Sequence, residues 1–140
     1  ARELGCQVGD EWVQISGLWT LGDDGMPICL ANVYVIPDYG SIAQRLGGSS
    51  RPVYEMIAET FMESIENITI RLTAGVLSEQ KAAILGVEPG SPSLSVSRFY
   101  QGRRGRIFEA SISEHPASNF SYTFEFTRGW QTADHWSWNN

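Results

Sequence analysis

Two stretches of this chain carry the same pattern, and the second of them decides the fold. Residues 82–98 read AAILGVEPGSPSLSVSR, and residues 1–12 read ARELGCQVGDEW. A shift of 81 positions aligns an alanine, a leucine and two glycines, and it also places Ser16 over Ser97. Chance agreement of common residues is the alternative, although two glycines and a leucine in register make it less favoured.

The second copy predicts a helix end followed by a β-hairpin. Residues 78–86, SEQKAAILG, are typical of a short helix with a serine N-cap and a glycine just past its last turn. Residues 93–101 and 106–115 alternate apolar and polar side chains, which indicates two strands joined at the GRRG turn. The first copy would then be the last turn of a helix followed by a hairpin, so we expect more protein to precede residue 1.

The remaining segments complete an α+β domain that spans residues 1–140. The sequence predicts an antiparallel six-stranded sheet with helices on one face. The expected strands are residues 10–21, 26–37, 67–77, 93–101, 106–115 and 120–129. The expected helices are residues 38–46, 51–63 and 78–86, and the Trp-rich tail 130–140 carries no motif.

Composition excludes several classes of protein. The chain has 140 residues, 42% of them hydrophobic, which suits one domain with a real core. Its net charge of −6 argues against binding of nucleic acid by this domain alone, because phosphate binding needs a basic surface. No segment is long and apolar enough to cross a membrane. Cys6 and Cys29 lack metal or redox spacing, so we expect buried thiols in a cytoplasmic protein.

The chain contains none of the common catalytic motifs. It has no nucleophile elbow, no phosphate-binding loop of the G-x-x-x-x-G-K type and no H-E-x-x-H helix. The GDDG turn at residues 22–25 has the wrong ligand spacing for calcium. The GRRGR stretch at residues 102–106 is basic, and a solvated hairpin tip is favoured over a phosphate site. No catalytic residue, metal or cofactor is predicted.

One predicted strand carries an unusual row of polar residues. Glu109, Ser111, Ser113 and His115 alternate with apolar residues, so they share one face of the strand. If that face is buried, these groups need hydrogen-bond partners, and a bound small molecule could supply them. If it is exposed, the row is the solvent side of an ordinary strand. Periodicity alone leaves both interpretations open.

The chain resembles the UTRA domain, the effector-binding half of HutC-type regulators in the GntR family. Residues 23–37, DDGMPICLANVYVIP, resemble its D-G-x-P pattern followed by a strand that ends in Y-[LI]-P. Residues 82–98 resemble its most specific signature, A-x-x-L-G-[VI]-x-x-G-x-P-x-L-x-x-x-R. Residues 52–57 and 108–122 match two weaker motifs.

The resemblance implies a fold like chorismate lyase, with a ligand pocket between sheet and helices. It also implies a homodimeric transcription regulator, usually a repressor, that acts in the cytoplasm. A small metabolite effector would bind this domain, and DNA would be bound only by a winged helix-turn-helix domain that precedes it. No membrane partner is expected.

Departures from the family pattern change the expected pocket. Family members that bind phosphorylated sugars carry two arginines before the D-G turn, whereas Trp19 and Leu21 stand there in this chain. Without those cations a buried phosphate would be costly, so we expect a neutral, cationic or partly aromatic effector. The predicted effector-binding residues are Trp19, Ala31, Val33, Tyr100, Glu109, Ser111 and His115, with Arg98 as a candidate anion contact.

Two alternatives remain at this point. A chorismate lyase-like enzyme acting on a small aromatic acid would need interior cations, for which Arg71 and Arg98 are the candidates. A structural or dimerisation module would have no working pocket. We expect a regulator and not an enzyme.

Overall fold

The computed structural model describes residues 10–21, 25–46, 51–126 and 128, with the backbone alone at Trp19, Leu21 and Asn119. Three of the segments discussed above lie outside the described residues. They are residues 1–9 of the first copy, residues 22–24 of the GDDG turn and the Trp-rich tail 130–140. Within the described part of the chain, no helix is long and apolar enough to cross a membrane.

Five strands form a single antiparallel sheet in the described residues. They are β1 (Val13–Leu21), β2 (Met26–Val35), β3 (Asn67–Val76), β4 (Pro92–Gln101) and β5 (Ile107–Pro116). Their spatial order is β1-β2-β5-β4-β3. The predicted hairpins β1–β2 and β4–β5 are therefore both present, and they lie side by side through the pairing of β2 with β5.

The expectation of six strands is wrong, because the predicted last strand does not form. Residues 120–126 alternate aromatic and polar side chains as a strand does, yet they contribute no strand to the described sheet. Their aromatic rings pack on one another and on β5 instead, beginning with Phe120, whose ring stacks on His115. The α+β class and the antiparallel sheet stand as predicted.

Helix α1 (Val53–Phe61) covers one face of the sheet together with a 3-10 helix at Pro37–Arg45. Pro52 sits at the start of α1, and Met62 ends it in a left-handed conformation with a φ of 52°. The buried residues Ile42 and Ile57 pack these helices onto Val35 of β2. We call this side of the sheet the α1 face.

Helix α2 (Glu79–Leu85) begins and ends as the sequence predicts. The Ser78 hydroxyl accepts a hydrogen bond from the Lys81 N–H at 3.3 Å, and Gly86 has a φ of 69°. Its buried Leu85 belongs to a cluster that packs against Leu30 of β2.

The contacts of α2 correct the expectation that the helices lie on one face. Lys81 forms an ion pair with Glu114 of β5, and Glu114 is the register partner of Leu30. Because side chains alternate along a strand, both residues lie opposite the α1 face. The two α-helices therefore pack on opposite sides of the sheet.

Candidate functional site

The strand register brings seven of the eight predicted site residues onto the α1 face, and only the backbone of the eighth, Trp19, is described. Ser111 of β5 lies between Val33 of β2 and Arg98 of β4. Ala31 is the partner of Ser113, so it lies one step further along the same face. The remaining members follow from the same register: Tyr100 pairs with Glu109, His115 with Leu94, and the backbone of Trp19 with Cys29.

Three of the four members of the polar row of β5 are buried, and Ser111 is half-buried. Glu109 and His115 are each 2% exposed, and Ser113 is 6% exposed. The solvent-face interpretation of this strand is therefore wrong. The side chain of Trp19 lies outside the described residues, so its place in the site remains a prediction.

Glu109 is a buried carboxyl group at the α1 end of the row. Its neighbours in register are Val35 and Tyr100, which are both buried. Its Oε2 atom has no hydrogen-bond partner among the described residues. Burial raises the pKa of Glu109 to about 8, because the charged form loses its hydration. The carboxyl group is therefore mostly protonated at pH 7.

His115 stands at the other end of the row and is hydrogen-bonded through Nε2. The Ser113 hydroxyl donates to the carbonyl oxygen of Val96 at 3.4 Å, so its oxygen accepts from His115 Nε2 at 2.9 Å. This arrangement favours the tautomer with the proton on Nε2, in which Nδ1 is an acceptor that no described residue fills. Burial, and secondarily the charge of Arg98, lower the pKa of His115 to about 4. The ring is neutral at pH 7.

Aromatic rings close both ends of the row. Tyr54 of α1 stacks on Tyr100 with 4.6 Å between ring centroids. Phe120 stacks on His115 with 3.8 Å between centroids and an interplanar angle of 20°. Sequence reasoning placed neither Tyr54 nor Phe120 in the site. Strand periodicity places residues on a face of the sheet, but it does not show which residue of a following segment folds back over that face.

The described side chains that the neighbouring hairpin places on the α1 face are small or apolar. Ile15 and Val33 pack against the core cluster under α1, and Gly17 is the register partner of Ala31. Burial raises the pKa of Cys29 to about 11 despite the nearby charge of Arg98, so this side chain is a neutral thiol. On the α1 face, the described side chains of β1 and β2 thus form an apolar surface beside the polar row of β5.

The site offers hydrogen-bonding groups, and no described residues form a metal centre. In residues 10–21, 25–46 and 51–126, no group of three His, Cys, Asp or Glu side chains is arranged to hold a metal ion. At neutral pH the face presents the Glu109 carboxyl, the bare Nδ1 of His115 and the Ser111 hydroxyl. These groups can bind a small molecule that carries hydrogen-bond donors.

The fold is similar to those of several solved regulators. The ligand-binding domain of a GntR-family transcriptional regulator from Bordetella bronchiseptica is 24% identical, with a TM-score of 0.73 over 90% of this chain and 81% of that one. A GntR-family regulator from Enterococcus faecalis is 20% identical, with a TM-score of 0.73 over 89% and 88% of the two chains.

PhnF from Mycobacterium smegmatis is a longer protein with the same fold. It is 16% identical, and the match has a TM-score of 0.74 over 91% of this chain and 55% of PhnF. No curated protein sequence matches the chain. The family model of the UTRA domain, however, matches residues 1–121. The chain therefore belongs to the UTRA domain family and is an effector-binding regulatory domain of the kind found in GntR-family transcriptional regulators.

Proposed function

We propose that this domain binds its effector on the α1 face, over the polar row of β5, and that it performs no catalysis. The observation that carries the proposal is the pair of buried polar atoms, Glu109 Oε2 and His115 Nδ1, that no described residue satisfies. A buried polar atom without a partner is destabilising, so a bound molecule that supplies a partner to either atom would gain free energy from that contact.

The proposed effector is neutral or cationic and carries hydrogen-bond donors, with an aromatic or apolar part. A donor group is required because Nδ1 of the neutral His115 can only accept. The apolar part would rest on the small and apolar residues of the neighbouring hairpin, Ala31 and Val33, with Trp19 as the predicted aromatic wall. Tyr100, Ser111 and Arg98 would border the polar part.

The protonation state of Glu109 distinguishes the two charge classes. A cationic effector needs the ionised carboxylate, so its affinity should rise about tenfold per pH unit up to the pKa of about 8. A neutral effector that accepts a hydrogen bond from the protonated carboxyl should instead lose affinity above that pH. Isothermal titration calorimetry from pH 6 to pH 9 separates the two.

At the level of the whole regulator, we propose a homodimer in the cytoplasm whose DNA contacts come from a preceding winged helix-turn-helix domain. Effector binding can change DNA affinity only if the effector prefers one arrangement of the two DNA-binding domains over the other. The chorismate lyase-like enzyme is less favoured, because the row contains two neutral titratable groups and no motif for catalysis.

A matched pair of serine variants tests the location of the site. Thermal-shift screening of a metabolite panel first identifies a ligand, since a ligand that binds the folded state alone raises the melting temperature. Ser111→Ala should then lower the affinity for that ligand several-fold. Ser97→Ala also removes a serine hydroxyl, but from β4 and on the opposite face of the sheet, so it should leave the affinity unchanged. Equal effects of both variants would reject the proposed site, and the absence of any stabilising ligand would favour the structural module.

A further inference from the structure

A cavity of about 460 Å³ lies away from the polar row, at the tip of the β4–β5 hairpin. One wall is the turn formed by residues 102–106, and the other is the C-terminal end of α1 at Phe61 and Glu63. Tyr39 of the 3-10 helix completes the lining. The turn is held close to α1, since a Cβ atom at Gly102 would lie 2.4 Å from Glu63 Oε1.

Positive charge is concentrated on the turn side of this cavity. Arg103, Arg104 and Arg106 all line it, in a chain whose net charge is −6. Arg106 forms an ion pair with Asp38 at 3.3 Å, whereas Arg103 and Arg104 form no ion pair with any described residue. An excess of cationic charge at a concave surface attracts anions.

The carboxylate in the cavity does not neutralise these arginines. Glu63 accepts hydrogen bonds from the Tyr39 hydroxyl and, at 3.1 Å, from the Ser64 N–H. Neutral donors thus hold this carboxylate in place. Its negative charge also limits which anions the cavity accepts, because a ligand must keep its own anionic group on the arginine side.

Arg104 holds a backbone conformation that is strained for a residue with a side chain. Arg104 has a φ of 61°, in the left-handed region that glycine adopts without cost and most other residues avoid. A glycine or an asparagine would suit this turn better.

We propose that this cavity binds a small phosphate monoester whose organic part is apolar or contains a ring. The guanidinium groups of Arg103 and Arg104 can each donate two hydrogen bonds to phosphate oxygens, a geometry that phosphate matches well. The organic part would lie against Tyr39 and Phe61, whose rings stack with 4.5 Å between centroids. This site is separate from the effector site proposed above and does not depend on it.

Calorimetric titration with phenyl phosphate and with inorganic phosphate tests the proposal. We expect saturable binding of phenyl phosphate, several-fold tighter than that of inorganic phosphate because only the former uses the rings. Arg103→Gln should weaken it about tenfold. Arg45→Gln removes an exposed arginine of the 3-10 helix and should leave it unchanged.

Arg104→Gly separates ligand binding from a structural role. Glycine relieves the backbone strain, so the melting temperature should rise while phenyl phosphate binding falls about tenfold. If Arg104→Gly keeps the wild-type affinity for phenyl phosphate, the proposal is overturned. Equal losses of affinity in Arg103→Gln and Arg45→Gln would also overturn it.

A third outcome that overturns it is an affinity for phenyl phosphate that depends on Glu109 and Ser111 instead of the arginines. The last outcome would also contradict the neutral or cationic effector, whereas loss at the tip alone leaves that proposal intact.

Discussion

The two hairpins of this domain share a backbone plan and differ in what they place under α1. β1–β2 contributes Ile15, Gly17, Ala31 and Val33, whereas β4–β5 contributes an arginine, a carboxyl group, three hydroxyls and an imidazole. The sheet joins them through β2 and β5, so apolar and polar surfaces meet along one strand pair. A repeated element can thus keep its fold while only one copy carries the polar chemistry.

The comparison predicts that the apolar copy does not tolerate a charge. Val35 is 0% exposed and lies in register with Glu109, so Val35→Asp would bury a second carboxyl group beside the first. We expect a loss of about 4 kcal/mol or more in the free energy of unfolding, measured by urea denaturation.

Leu18→Asp is the control for that variant. Leu18 lies in the same hairpin but is 43% exposed and does not belong to the α1 face. Its replacement should change the free energy of unfolding by less than about 1 kcal/mol. If Leu18→Asp and Val35→Asp lower the free energy of unfolding by similar amounts, this hairpin is sensitive to a charge at any position. Burial under α1 would then not explain the loss at Val35.

The second prediction concerns the polar copy and follows from the pKa of His115. This ring is neutral in the folded state down to about pH 4 but takes up a proton below about pH 6.5 when unfolded, so its contribution to stability falls as the pH drops from 6.5 to 4. The contribution of Glu109 to stability instead falls as the pH rises above 4.5, because the unfolded carboxyl then loses its proton while the folded one keeps it. The two contributions therefore oppose each other between pH 4.5 and 6.5.

His115→Asn removes the contribution of His115, so the contribution of Glu109 to stability between pH 4.5 and 6.5 can be measured by itself. Relative to wild type, the variant should lose about 3 kcal/mol of stability as the pH rises from 4.5 to 6.5, measured as the difference between two urea-denaturation series. A difference that does not vary with pH would show that His115 titrates normally and is not buried as described.

The third prediction isolates Glu109 at higher pH. The unfolded carboxyl is fully ionised above pH 6.5, whereas the folded one stays protonated up to about pH 8, so wild-type stability should fall by about 2 kcal/mol across this interval. Glu109→Gln should remove this decline, because the amide does not ionise. Persistence of the decline in the variant would assign it to another group.

Sequence periodicity was sufficient for five of the six predicted strands and for which residues of a strand share a face. The alternation in residues 106–115 and the glycine-bounded turn at 102–105 predicted β5 and its hairpin, since both depend on neighbours in the chain. The same rule failed for residues 120–126. Their alternation is strand-like, but whether a strand forms depends on a free sheet edge within reach.

Long-range contacts account for most of what the sequence did not reveal about the site. Tyr54 contacts Tyr100 across 46 positions of the chain, and the apolar spacing of Val53, Ile57 and Phe61 along α1 does not indicate that contact. The side on which α2 packs is set by Leu30 and Glu114, which only the strand register brings together. The GRRGR tip shows the same limit, since its cavity depends on the distant end of α1.

The smallest predicted effect concerns the ring that closes the polar copy. Phe120→Ala removes the stack on His115 and should cost about 1 kcal/mol of stability. It should also move the His115 pKa upward from about 4, because water then reaches the imidazole and supports its charged form. An NMR titration of the imidazole signals measures the shift.

Phe126→Ala provides the matched control for this last change. Phe126 is 76% exposed and contacts Phe124, not His115. Its removal should leave both the stability and the His115 titration unchanged within error. If both variants shift the pKa equally, the whole aromatic segment shields the imidazole; if neither does, burial by the sheet alone keeps it neutral. Only the specific response to Phe120→Ala identifies this ring as the cover of the site, through which an effector that bonds to Nδ1 would enter.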